Sequence, residues 1–335
     1  MISRRELLIG AAAVLAGATG CSRLKLPAIP GVSPESGPKD PPAVAPADEA
    51  PRPVLRVALL SDPHTQESGH GANKLEQALA DYKPLRPDLW LFCGDVTNLG
   101  LTAEYATFKK LLKGTVKEEQ LLVTTGNHDL YDKTATDEEE MRRFREAFGY
   151  KTVWSNKVVG NVHFVMLATE QWKTAPRLPD WAWLSDEQLR WFESVLAEHT
   201  DKYTIVSLHQ PLQNTITWSH GESNTFTGCV RLPELQAIMK RNRQVKLWLS
   251  GHTHMGPERE GNVANLNGVT YIGLGSTFYQ FAPATGAEDK FGGFKQDWDA
   301  SGSRMLDIWA DRTVIRARDH VSKTWLDPQE IVLKP

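Results

Sequence analysis

The stretch "LLVTTGNHDLYD", residues 121–132, begins as an apolar, β-branched run and stops at a glycine, after which come Asn127, His128 and Asp129. A plain turn calls for Asn or Asp, but nothing in turn geometry calls for a histidine between them. The run reads as a strand over 120–127, and the polar trio as chemistry carried at its carboxyl end. The fold then depends on whether other strands end in the same way.

They do. "VLRVALLSD" (54–62) is a predicted buried strand that runs into Asp62-Pro63-His64, and "DLWLFCGD" (88–95) is another that ends in Gly94-Asp95. "KYTIVSLHQ" (202–210) ends in His209-Gln210, and "VKLWLSGHTH" (245–254) in Gly251-His252-Thr253-His254. "NVHFVMLAT" (161–169) is a further strand. Amphipathic segments alternate with these runs. "ANKLEQALADY" (72–82) sets Leu75, Ala78, Leu79 and Tyr82 on one helical face; residues 104–113, 137–148, 185–199 and 232–242 also read as helices. This alternation implies an α/β fold with parallel strands and crossover helices. After Gly261 the pattern turns to β, at 269–277, 303–311 and 313–319. Two irregular stretches, 170–184 and 276–302, are long enough to be lids or binding walls.

In parallel sheets ligands bind outside the carboxyl ends of the strands. The five polar strand ends should therefore converge, although they span nearly the whole of 62–254. Carboxylate, imidazole and one amide oxygen suit a pair of divalent transition ions, Mn, Fe or Zn. A bridging carboxylate holds two such ions about 3.5–4 Å apart. Glycines before Asp95, Asn127 and His252 let the backbone turn and approach the site closely. Any one block occurs by chance; the ordered set does not. Of the ten histidines, His70, His163, His199, His220 and His320 lie outside the pattern and read as surface or packing residues.

The blocks D-x-H, G-D, G-N-H-[DE], H and G-H-x-H, in this order, resemble the calcineurin-like metallophosphoesterases. The resemblance implies a four-layer α/β-β/α sandwich with a dinuclear metal site at the strand ends. Carried over block by block, it makes Asp62, His64 and His254 ligands of one ion and Asn127, His209 and His252 ligands of the other, with Asp95 bridging. His128 resembles the family histidine that contacts the phosphate and protonates the leaving oxygen, with Asp129 orienting it. A hydroxide held by the ions would attack phosphorus in line. Purple acid phosphatases, in the wider superfamily, carry a tyrosine three residues after the bridging aspartate; here that residue is Asn98, so no iron–tyrosinate is expected. The compact "GNHD…GHTH" core is also similar to bacterial cyclic-nucleotide phosphodiesterases, which favours phosphodiester over phosphomonoester substrates. A non-catalytic binding module on the same fold is the competing class, and the full ligand set argues against it.

The chain has 335 residues and a formal net charge of −3, which leaves no basic footprint for sequence-specific nucleic-acid binding. Residues 1–20 hold paired Arg4 and Arg5, an apolar stretch from Leu7 to Ala18, and small residues before Cys21. This pattern resembles a twin-arginine export signal joined to a lipobox, with Cys21 as the lipidated residue. Residues 21–53, dense in Pro, Ala and acidic side chains, read as a tether, and 54–335 as the metallophosphoesterase domain. The expected location is outside the cytoplasmic membrane on a lipid anchor. A disulfide between Cys93 and Cys229 is open in an exported protein, although Cys93 falls in a predicted buried strand. Trp172, Trp181, Trp183 and Trp218 could stack on a base or sugar, or simply pack on the sandwich. The oligomeric state has no signal in the sequence.

Overall fold

Along the first strand, β1 (Leu55–Leu60), side chains alternate between two cores. Val57 and Leu59 join one apolar cluster, Ala58 and Leu60 another. A strand buried on both faces lies between two layers, and this alternation sets the architecture. In a computed structural model the described residues are 52–171, 173, 180–220, 227–285, 287, 293–326 and 331–333. The proposed export signal, Cys21 and most of the tether lie outside them, as does Trp172. Among the described residues no helix is long and apolar enough to cross a membrane.

β1 pairs in parallel with β2 (Leu89–Cys93), and β2 with β3 (Leu121–Thr124). A second sheet holds β4 (Ser155–Val159), β5 (Val162–Met166), β6 (Tyr203–Ser207), β7 (Val245–Ser250), β8 (Val263–Leu266) and β9 (Val269–Gly273), in the order β4-β5-β6-β7-β9-β8. Within it β5, β6, β7 and β9 run parallel, with β4 and β8 as antiparallel edges. A two-stranded hairpin, β10 (Gln280–Pro283) and β11 (Phe294–Asp297), stands apart. The chain then returns to the first sheet through β12 (Gly302–Ile308) and β13 (Thr313–Asp319), which carries β14 (Thr324–Trp325) and β15 (Ile331–Leu333). β12 lies antiparallel on the free edge of β1.

Helices α1 (His70–Tyr82), α2 (Thr102–Leu112) and α3 (Asp137–Phe148) cover the outer face of the first sheet; Leu75, Tyr82, Phe108 and Phe144 pack there on Ala58, Leu60, Trp90 and Phe92. α4 (Asp186–Glu198) and α5 (Leu232–Arg241) cover the second sheet, with Phe192, Leu235 and Ile238 against Val206 and Trp248. The Thr136 and Ser185 hydroxyls cap α3 and α4 by accepting backbone N–H groups three residues on, ahead of acidic first turns. Between the sheets lies a third core, in which Val57, Leu59, Leu91 and Leu122 meet Phe164, Met166, Leu247 and Ile272. These are the four layers of an α/β-β/α sandwich.

The expected strands and helices all form. β4, β8, β14 and β15 went unpredicted, as did the hairpin β10–β11 inside the stretch 276–302 read as irregular; these strands are short, and "SNKVV" of β4 is half polar and only partly buried, with no apolar run to announce it. Cys93 and Cys229 are both free and buried, Cys93 in the core between the sheets and Cys229 in the layer under α4 and α5.

Candidate active site

Both sheets point the carboxyl ends of parallel strands at one place. Asp62 and His64 follow β1, Asp95 follows β2, and Asn127 and His128 follow β3; His209 follows β6, and His252 and His254 follow β7. All of these except His128 are buried. Interlocked backbone bonds hold the loops together: Asp62 N–H to the Gly94 carbonyl (3.2 Å), His64 N–H to Asp95 (3.0 Å) and Gly251 N–H to His209 (2.9 Å). A side-chain pair, Thr124 and Ser207 hydroxyls at 2.9 Å, ties the two sheets beneath the site.

Three groups could each hold a divalent ion: Asp62 with His64 and His254, Asp95 with His209 and His252, and His64 with Asp95 and His128. Asp62 Oδ1 lies 3.2 Å from His254 Nε2, and His64 Nε2 lies 3.0 Å from the same nitrogen. Asp95 Oδ2 stands between the two sides, 3.1 Å from His209 Nε2 and 3.6 Å from His64 Nε2. Asn127 Oδ1 faces His252 Nδ1 at 3.0 Å. The seven side chains that the resemblance assigns to the ions therefore lie together, and His64 and Asp95 also group with His128.

The donor set fits metal ions. His209 Nδ1 donates to the Cys93 carbonyl (2.6 Å) and His254 Nδ1 to the Tyr279 carbonyl (3.2 Å), which turns each Nε2 lone pair inward. His209 Nε2 and His64 Nδ1 are buried without a hydrogen-bond partner. Burial alone would raise the Asp62 and Asp95 carboxyls, but facing histidines outweigh it and hold both below the ordinary carboxylate range. Burial likewise pulls the His209 imidazole down, yet Asp95 and Asp62 hold it up to about 9. Two buried carboxylates thus face the imidazoles as a demand for positive charge, which divalent cations meet.

The local backbone is strained to make this cluster. Asp62, His64, Asp95, His252 and His254 all have φ between 42° and 67°, a region non-glycine residues avoid at about 1–3 kcal/mol each. Gly94 has φ +82°, and a β-carbon there would stand 2.5 Å from the His209 ring. At Gly126 a β-carbon would stand 2.1 Å from Asp95 Oδ1. The first of these glycines serves both turn and close approach, the second close approach alone.

His128 opens a short 3₁₀ turn (His128–Leu130). Its backbone N–H donates to Asp95 Oδ1 (2.8 Å), its ring Nδ1 meets the Asn98 carbonyl (2.9 Å), and its ring stacks on Tyr131 at 4.3 Å. Nε2 is thereby left for a ligand in the pocket. Asp129 does not orient this ring, contrary to the expectation from the sequence. Its carboxylate is fully buried and turned away, accepting from the Thr97 N–H and hydroxyl (3.0 and 2.7 Å) and the Gly126 N–H (2.9 Å). The reason is geometric: successive side chains in a 3₁₀ turn diverge by about a third of a turn, so neighbours cannot share one face. Asp129 secures the loops after β2 and β3, and the Asn98 carbonyl orients His128.

Above the ligands lies a cavity of about 240 Å³, walled by Asn98, His128, Tyr131, Asp180, Phe278 and Tyr279 over the ligand cluster. Asp180, Tyr131, Phe278 and Tyr279 were not singled out from the sequence. Only the length of the 170–184 and 276–302 loops hinted that they supply walls. Trp181, Trp183 and Trp218 do not line this cavity; Trp218 packs on Phe281 and Phe294. His70, His163, His199 and His320 also stand outside it, His70 bonding the Phe278 carbonyl from behind (3.0 Å).

A family profile described as calcineurin-like phosphoesterase matches residues 55–256. A probable glycerophosphodiester phosphodiesterase, GpdQ, from Arcobacter nitrofigilis is 27% identical over 208 residues, covering 59% of this chain and 71% of the relative. A 3′,5′-cyclic-nucleotide phosphodiesterase from Nostoc sp. is 28% identical over 277 residues, covering 77% and 90%. The crystal structure of a dimetal phosphatase from Danio rerio matches with a TM-score of 0.59 at 12% identity, covering 84% of this chain and 99% of the other, a likeness of fold. With the ligand groups, the profile match identifies a divalent metal site.

Proposed function

The chain belongs to the calcineurin-like phosphoesterase family and is a hydrolase of phosphoester bonds, and on that premise we propose that its substrates are phosphodiesters, cleaved outside the cytoplasmic membrane. The observation that carries the diester reading is the charge of the cavity wall. Among its described lining residues there is no lysine or arginine, the side chains that would clamp the second charge of a monoester dianion. The printed names of the two relatives, a glycerophosphodiester and a cyclic-nucleotide phosphodiesterase, support the same class.

Asp62, His64 and His254 would hold one ion, Asn127, His209 and His252 the other, with Asp95 shared between them; the oxygen and nitrogen donors suit Mn, Fe or Zn. Bound there, the ions supply Lewis acidity and an activated water. The protein's own part is positioning and proton transfer. The imidazoles are locked by backbone carbonyls, so the ligand cluster is preorganised. His128 keeps Nδ1 on the Asn98 carbonyl and uses Nε2 to stabilise the phosphoryl oxygens and protonate the leaving alcohol. The sequence of residues 1–21 supports export and lipidation at Cys21, with 21–53 as the tether.

Metal-reconstituted protein should turn over bis(4-nitrophenyl) phosphate, a cyclic nucleotide and a glycerophosphodiester with kcat/KM above that for the matching monoesters. A monoester preference across the panel would overturn the diester reading while leaving the family intact.

A further inference from the structure

We propose that Asp180 is a specificity-determining residue, a fixed negative charge in the cavity wall that disfavours dianionic phosphomonoesters relative to monoanionic diesters. The inference rests on the phosphodiesterase reading and names the side chain that enforces it. Asp180 is half-buried and lines the cavity over the metal ligands. It belongs to no ligand group among the described residues. Its Oδ1 accepts from Asn127 Nδ2 at 3.3 Å, so the carboxylate stands one side chain away from the ion that Asn127 addresses.

The segment that carries it is anchored. Ala182, two residues on, pairs with Cys229, donating to the Gly228 carbonyl (2.8 Å) and accepting from Val230 (3.0 Å). Glu170 N–H donates to the Trp183 carbonyl (2.9 Å). Asp180 also acts on the cavity already: together with burial, its charge holds the Tyr131 phenol above the usual range. Of the other described wall residues, Asn98, Tyr131, Phe278 and Tyr279 are neutral, and His128, the proposed proton donor, lines the same cavity. A charge a few ångströms beyond the ions repels a dianion twice as strongly as a monoanion. In a partly desolvated cavity the difference amounts to about tenfold in relative binding.

The test compares 4-nitrophenyl phosphate with methyl 4-nitrophenyl phosphate at pH 8. The two share a leaving group and differ by one charge. In the full-length, metal-reconstituted Asp180→Asn protein the monoester-to-diester ratio of kcat/KM should rise about tenfold, and Asp180→Glu should restore it. Calorimetric binding supplies a second readout: Asp180→Asn should tighten inorganic phosphate about tenfold more than dimethyl phosphate, at unchanged metal content. A ratio that stays within about twofold of wild type overturns the proposal. So does a parallel loss of both activities together with metal, which would make Asp180 only an orienting partner of Asn127. If the wild type cleaves no diester at all, the phosphodiesterase reading fails, and the phosphate and dimethyl phosphate titrations still decide the charge filter.

Discussion

Replacing His128 by alanine removes, among the described residues, the one imidazole that lines the cavity without belonging to either ligand set proposed here. The bridging carboxylate should not notice. Asp95 Oδ1 is held by the His128 backbone N–H, which alanine keeps, and Asp95 Oδ2 faces His209 and His64. Both ions are therefore expected to remain. The folding cost is confined to the ring's hydrogen bond to the Asn98 carbonyl and its stack on Tyr131. At about 0.5–1.5 kcal/mol each, these sum to about 1–3 kcal/mol, less than the usual stability of a domain. The rate should fall by about 10²–10⁴, or about 2.7–5.4 kcal/mol of transition-state stabilisation. That loss should depend on the leaving group, since an alkoxide needs a proton to depart and a nitrophenolate hardly does. The assay is single-turnover hydrolysis of an alkyl and a nitrophenyl diester, with metal content measured on the same samples. Equal losses on both esters would refute the general-acid role and leave His128 as a stabiliser of phosphoryl charge; loss of an ion would refute the geometry itself.

Asp95→Asn should bind fewer than two ions per chain and lose activity in step, by elemental analysis and turnover; two tightly held ions in that variant would remove the bridging role. Acid should weaken the fold through the buried cluster of Asp81, Arg318 and His320, in which Asp81 accepts from Arg318 (2.6 and 2.8 Å) and lies 2.9 Å from His320. Against burial, Arg318 and His320 hold the Asp81 carboxyl at about 2, below its ordinary 3.8, so its contribution is present above that value and lost as pH falls toward 2. Burial, only partly offset by Asp81, keeps His320 below its usual range, so neutral His320 likewise favours the fold less as pH drops below 6.5. The gap in urea midpoint between wild type and Asp81→Asn should close between pH 4 and 2; a constant gap would mean the ion pair does not titrate with folding. Cys21→Ser should release the protein from membranes with its phosphodiesterase activity intact, and wild-type protein found wholly soluble on fractionation would exclude the lipid anchor.

The alternation of strands and helices and the polar strand ends were legible in the sequence, and a family resemblance added the four layers and the expected ligands. The apolar run over 54–62 announces a buried strand, and helical periodicity over 72–82 assigns the face that covers the sheet, because burial is encoded locally by spacing; which of two cores each strand residue enters is seen only in the packed sheets. Side-chain identity at the strand ends picked out Asp62, His64, Asp95, Asn127, His128, His209, His252 and His254, which meet in the folded chain. The remaining features of the site depend on groups without side-chain identity or on pairing between distant segments. The carbonyls of Cys93, Asn98 and Tyr279 orient His209, His128 and His254, and a carbonyl looks the same at every position in a sequence. Asp129 adjoins His128 in the chain, yet the pitch of a 3₁₀ turn sends its carboxylate to Thr97. β12 closes the first sheet on β1 across more than two hundred residues, and Asp180 reaches the cavity from a loop with no motif. Local spacing records which face is buried; which distant backbone fills the other side is fixed only when the sheets pack.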